Sequence, residues 1–122
     1  MADTAITLTS LALNTATLNT AGTAIVHANT HVITPTKRLD KVLLRITNTT
    51  ASQKVATILA GDNPPAGAAG QGNLDVTLAA GDSTATFAHV VLESARFLQN
   101  DGTIRITVAA SMTGFIAAFQ LP

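Results

Sequence analysis

The chain has no cysteine, no tryptophan and no tyrosine, and its four phenylalanines are the only aromatics among 122 residues. Without cysteine there is no disulfide, no thiolate nucleophile and no cysteine-based zinc site. Without tryptophan or tyrosine, few platforms remain on which sugars or nucleic-acid bases could stack. Charge is scarce too: 11% of residues are charged, seven basic against seven acidic, for a formal net charge of zero. That balance offers no basic surface to nucleic acid or to an anionic membrane, and neither is expected as a partner. No apolar run approaches the ~18 residues of a membrane helix. Met1-Ala2-Asp3-Thr4 is not a basic segment leading into an apolar one. No signal peptide is therefore expected, and the chain is read as soluble and made in a cytoplasm.

What fills the chain is threonine, alanine and short aliphatic alternations. Hydrophobic residues make up 47% of it, but many are alanine, which predicts a thin core. The length suits one domain that buries a core without covalent staples. A near-neutral surface of alanine and threonine gives little repulsion between molecules and favours an assembled protein over a solitary one. Lys37, Arg38, Lys41 and Arg45 lie close together with Asp40 among them. They are read as a solvated strand edge with its counter-ion.

The periodicity is that of strands. Residues 4–19 alternate polar and apolar through Ile6, Leu8, Leu11 and Leu13, and the step from Leu8 to Leu11 predicts a bulge or a bend near Thr9-Ser10. Residues 24–33 are extended and stop at Thr34-Pro35. Residues 39–49 form the clearest strand, with Val42, Leu44 and Ile46 on one face and Leu43, Arg45 and Thr47 on the other. A turn at Asn48-Thr49-Thr50 then predicts a hairpin with a strand over 55–60. After the Gly/Pro segment 61–72, strands are expected around Leu74, Val76 and Leu78 and over 84–92. Residues 93–100 read as strand or as helical turn. Asn100-Asp101-Gly102 is a tight-turn sequence, and strands follow through Ile104, Ile106 and Val108 and over 114–121. About eight short strands, with turns about every eight to twelve residues, predict an all-β antiparallel sandwich or barrel. Residues 1–20 are set apart as an extended segment, an arm or an added strand, and 21–122 as the sandwich domain.

Few residues promise chemistry. His27 and His31 are four apart, which on a strand is ~13 Å, too far for one metal ion. No metal site is expected within one chain, though copies of one histidine could converge at a symmetry axis. His89 has no histidine neighbour. Gly61 to Gly72 lacks the Lys-Ser/Thr ending and following helix of a phosphate loop, so no nucleotide is expected. It is a flexible surface loop or one that folds against a partner, with Pro64-Pro65 lowering the ordering cost. Several of the carboxylates Asp3, Asp40, Asp62, Asp75, Asp82, Glu93 and Asp101 fall in turns, where they satisfy backbone amides. Glu93 and Arg96 flank a corner and read as a structural ion pair. Phe87, Phe97, Phe115 and Phe119 are read as core. No catalytic residue, cofactor or small-molecule substrate is expected, and the chain is not read as an enzyme. The residues best suited to meet a partner are Asp62, Asn63, Pro64 and Pro65 in the loop. Leu8 and Leu11 join them, in an alternation ready to act as an added strand.

Three stretches carry a resemblance: Val42-Leu43-Leu44-Arg45-Ile46-Thr47-Asn48-Thr49, Ala60-Gly61-Asp62-Asn63-Pro64-Pro65-Ala66, and residues 92–104 from Leu92 through Asn100-Asp101-Gly102 to Ile104. The ending Gly114-Phe115-Ile116-Ala117-Ala118-Phe119-Gln120-Leu121-Pro122 fits the same pattern. Over residues 20–122 the chain resembles small proteins encoded among the head genes of tailed bacteriophages, of the capsid decoration (cement) type. The resemblance implies a jelly-roll-like β-sandwich on the capsid exterior, a homotrimer at threefold positions, with the phage major capsid protein as partner and the virion as location. It brings no mapped binding motif, so no contact residue transfers from it. The alternatives are another phage head or tail accessory or fibre protein, and a carbohydrate-binding or adhesin module. The lack of tryptophan and tyrosine argues against the last.

Overall fold

The computed structural model describes residues 2–18, 21–36, 41–61, 72–81, 86–92 and 97–122. Among them lie ten strands and no helical element: β1 (Asp3–Ala5), β2 (Leu8–Ser10), β3 (Thr23–Ala24), β4 (Thr30–Ile33), β5 (Val42–Asn48), β6 (Lys54–Ile58), β7 (Leu74–Leu78), β8 (Phe87–Val91), β9 (Ile104–Val108) and β10 (Gly114–Gln120).

The pairing is nested. β6 pairs with β7, β5 with β8, β4 with β9 and β3 with β10, each pair antiparallel. From β3 to β10 the chain is therefore one long hairpin whose tip lies between β6 and β7. It is wound so that successive pairs fall in opposite sheets. The antiparallel ladders β9–β6 and β10–β5 join the pairs into two sheets. The orders β4-β9-β6-β7 and β3-β10-β5-β8 are those of a jelly roll. These eight strands form the expected antiparallel sandwich. Two more, at the N-terminus, make both sheets mixed.

β1 lies parallel to β4 at the edge of the first sheet, and β2 lies parallel to β10 at the edge of the second. Between them the chain changes sheet at Ile6-Thr7. Ile6 is buried between the sheets, and its N–H donates to the Val32 carbonyl at 2.8 Å. One expectation is corrected: Thr9 and Ser10 sit in a regular ladder, without the bulge or bend expected there. Residues 3–11 run along the sandwich as added strands, with the Leu11 N–H donating to Gln120 O at 2.8 Å, while residues 12–18 are exposed.

Alternation within each strand builds the core. Val42, Leu44 and Ile46 of β5 face Ile58, Ile104 and Ile106 of the opposite sheet, all essentially inaccessible to solvent. The expected hairpin between β5 and β6 is overturned: each pairs with other strands, and the two lie in different sheets. Their apolar faces meet across the core, which serves burial as well as side-by-side pairing would. Asn48 turns the chain from one sheet to the other. Its buried Nδ2 donates to Ser52 O at 3.0 Å and Ala79 O at 2.9 Å, and its Oδ1 accepts the Thr50 N–H at 2.9 Å. A buried amide satisfied on both ends is stabilising, where an unsatisfied one would cost about 1–3 kcal/mol. Opposite Asn48, Gly114 has φ +145°, and a Cβ there would run into the Thr47 carbonyl. Only glycine fits this position.

The division of the N-terminal segment is testable by urea denaturation. Ile6→Ala should cost about 2–4 kcal/mol, as a core truncation does. Leu18→Ala should change stability by less than about 0.5 kcal/mol. Equally small losses at both positions would place residues 3–11 outside the cooperative fold.

Candidate functional site

The two sheets present very different outer faces. On the first sheet, outward positions are occupied by Asp3 and Ala5, Thr30 and Val32, Arg105 and Thr107, Val55 and Thr57, and Asp75 and Thr77. Polar groups here pair with one another. Thr57 Oγ1 donates to Asp75 Oδ1 at 2.9 Å, and the Arg105 guanidinium donates to Asp3 at 3.2 Å and Asp101 at 3.3 Å. The Thr103 hydroxyl, with smaller help from its amide and from Arg105, holds the Asp101 carboxyl below its ordinary range. This face suits water.

The second sheet turns large apolar side chains outward on either side of a polar row. The register aligns Phe119, Leu43 and Val91 in one row, Ala117, Arg45 and His89 in the next, and Phe115, Thr47 and Phe87 in the third. Three of the four phenylalanines thus lie on an outer face, correcting the expectation that all are core. Only Phe97 is buried, while Phe87 is 54% exposed. β10 explains the difference. Its inward set is Ile116 and Ala118, already apolar, so Phe115 and Phe119 are left to the outside. Outward aromatic and β-branched pairs stabilise the ladder itself.

Arg45 sits in the middle of this face, on a central strand, and not on the solvated edge expected for it. Its guanidinium lies over the Phe119 ring, 5.4 Å from the centroid, an arrangement worth about 0.5–1 kcal/mol at exposed sites. A shallow groove runs over Thr47 between Phe87 and Phe115, with Arg45 and Thr49 along it. Planar aromatic walls beside a cation and hydroxyls suit a protein surface with apolar side chains and backbone or side-chain acceptors.

The other candidates are placed as follows. Asp62, Asn63, Pro64 and Pro65 lie outside the described residues, as do Lys37, Arg38, Asp40, Glu93 and Arg96. The base of the Gly/Pro loop is held: the Ala60 N–H donates to Asn73 Oδ1 at 2.7 Å, and Gln99 Nε2 donates to Ala60 O at 2.8 Å. Leu8 packs against the core of its own chain, and Leu11 is half-buried beyond the end of β2. Among the described residues no three histidines or carboxylates gather as a metal site would require.

His27 is exposed, but His31 is fully buried. His31 Nε2 accepts the Val26 N–H at 3.1 Å, and Nδ1 lies 3.3 Å from the Ile106 carbonyl. These partners assign the neutral ring with the proton on Nδ1, donating to Ile106. Both nitrogens are engaged inside the sandwich, which removes His31 from any symmetry-axis site. Burial holds its pKa below the ordinary 6.5, against a smaller opposing pull from the Ile106 carbonyl.

That depression makes stability depend on pH. As pH falls through about 6.5, the unfolded chain takes up the His31 proton before the folded chain does. The contribution is therefore complete above that value and declines below it. Melting temperature should drop between about pH 7 and 5, and His31→Gln should flatten the slope. Parallel slopes for the two proteins would show that His31 is not the group responsible.

No protein-family model matches the chain, and no curated protein or solved structure matches it either.

Proposed function

We propose that the chain is a structural virion protein of the decoration type. It binds the exterior of a bacteriophage capsid through the outer face of its second sheet and reinforces the shell, as a homotrimer. The observation that carries this reading is the contrast between the two outer faces. One pairs its threonines and charges with each other, while the other presents Leu43, Phe115, Phe119, Phe87 and Val91 around a single arginine. A protein that seals seams between shell subunits needs adhesive area and no reacting group. A face of three hydrogen-bonded strands supplies that area on a rigid backbone, so little entropy is lost when it docks. Repetition over a lattice lets modest contacts add up. The resemblance to phage head proteins supports the same partner, the major capsid protein, and the same location, the virion surface.

Pelleting with undecorated capsids of its own phage tests the proposal. The chain should co-sediment to a saturating ratio. Leu43→Asp, on the outer face of the central strand β5, should weaken binding at least about tenfold, as loss of a hot-spot contact does. Thr77→Asp, on the polar face, should leave binding unchanged. A chain that stays in the supernatant, or equal losses in both variants, would contradict it.

A further inference from the structure

Among the described residues, the exposed large apolar side chains fall on the two edges of the second sheet: Leu13 (76% exposed) and Leu18 (88%) lie between β2 and β3, Val26 (45%) lies just after β3, and Phe87 (54%) and Val91 (57%) lie on β8. The order of the second sheet places β2 and β3 on one edge and β8 on the other, with β10 and β5 between. Three strand spacings of about 4.8 Å separate those edges, roughly 14 Å. Within one chain the two patches leave each other exposed.

Their backbones match as well. Among the described residues, none of 12–18 takes part in a backbone–backbone hydrogen bond; Thr15 Oγ1 donates to Leu13 O at 3.2 Å. Asn14 turns the chain at φ +56°, and residues 15–18 then run on without a turn. The segment carries no charge. β8 pairs with β5 on one side and with no described strand on the other. Edge strands are usually defended by charge, proline or shortness. β1 has three residues and Asp3, β2 has three residues, and β7 carries Asp75 outward. β8 is Phe-Ala-His-Val-Val, five residues with no carboxylate, lysine or proline.

We infer that these are the two halves of one contact between copies of this chain. Residues 15–18 of one copy add as a strand to the edge of β8 that no described strand covers in a second copy, seating Leu13 and Leu18 against Phe87 and Val91. Strand addition satisfies main-chain groups on both sides, and the side chains set the register. The contact is head-to-tail, because donor and acceptor are different surfaces, and such contacts close into rings when the rotation allows. The inference rests on the reading that the chain is a homo-oligomer, and it does not depend on capsid binding.

Two variants, each lacking one half, test it. Leu13→Asp/Leu18→Asp removes the donor and Val91→Lys the acceptor. All three positions are exposed, and far-ultraviolet circular dichroism with thermal melting checks that both variants keep the fold. In sedimentation velocity, each variant alone should associate at least about tenfold more weakly than the wild type. Mixed together, they should form a one-to-one dimer and nothing larger, since only one intact donor and one intact acceptor remain per pair. A wild-type chain that is monomeric at millimolar concentration would overturn the inference. So would variants that associate like the wild type, or a mixture that stays monomeric. A chain that decorates capsids as a monomer keeps the capsid-binding reading and loses the homotrimer together with this contact.

Discussion

The ladder between β5 and β10 is the constraint on which the rest of the structure depends. It pairs seven residues with seven, from Gly114 opposite Asn48 to Gln120 opposite Val42. Everything else in the second sheet attaches to it: β2 and β3 on the far edge of β10, β8 on the far edge of β5. It also joins stretches far apart in the chain, so its closure carries a large loop entropy and belongs to the slow, non-local part of folding. Its start is the most tightly specified place in the molecule, with the satisfied Asn48 amide on one strand and the obligatory Gly114 on the other.

Register in that ladder decides more than stability. A slip of one residue would exchange the faces of a strand. Ile116 and Ala118 would then turn outward and Phe115 and Phe119 inward, and the core would be overfilled. The observed register keeps compact aliphatic side chains inside a thin sandwich and sends the bulky rings out, beside Leu43, Val91 and Phe87. The apolar outer face is thus a consequence of how the core is filled. The same economy explains His31, a polar residue admitted to the interior because both ring nitrogens find backbone partners.

Much of this was legible in the sequence, and the rest was hidden for identifiable reasons. β5, β7 and β9 read clearly because one phase of their alternation is more polar: Arg45 and Thr47, Asp75 and Thr77, Arg105 and Thr107. β10 is apolar in both phases, so nothing local says which side is solvent, and its phenylalanines read as core. Alternation also reports burial and not neighbours, which is why β5 and β6 suggested a hairpin although they sit in opposite sheets. At the N-terminus, Ile6 passes through the core between β1 and β2, a crossing that the regular spacing of Ile6 and Leu8 hides. The candidate interface was sought in Asp62 to Pro65, outside the described residues, and in Leu8, which packs on its own core. The surface that stands out in the structure is assembled from three strands separated in sequence, and no local motif encodes it.

The central claim is that the outer face of the second sheet is the surface this chain uses. Hydroxyl-radical footprinting, comparing the free chain with the chain bound to capsids, tests it most directly. Oxidation of Phe115, Phe119 and Leu43 should fall on binding, while Val32, Val55 and Thr77 on the first sheet stay as reactive as before. Protection of the first sheet's outer face, with the phenylalanines still fully labelled, would contradict the account.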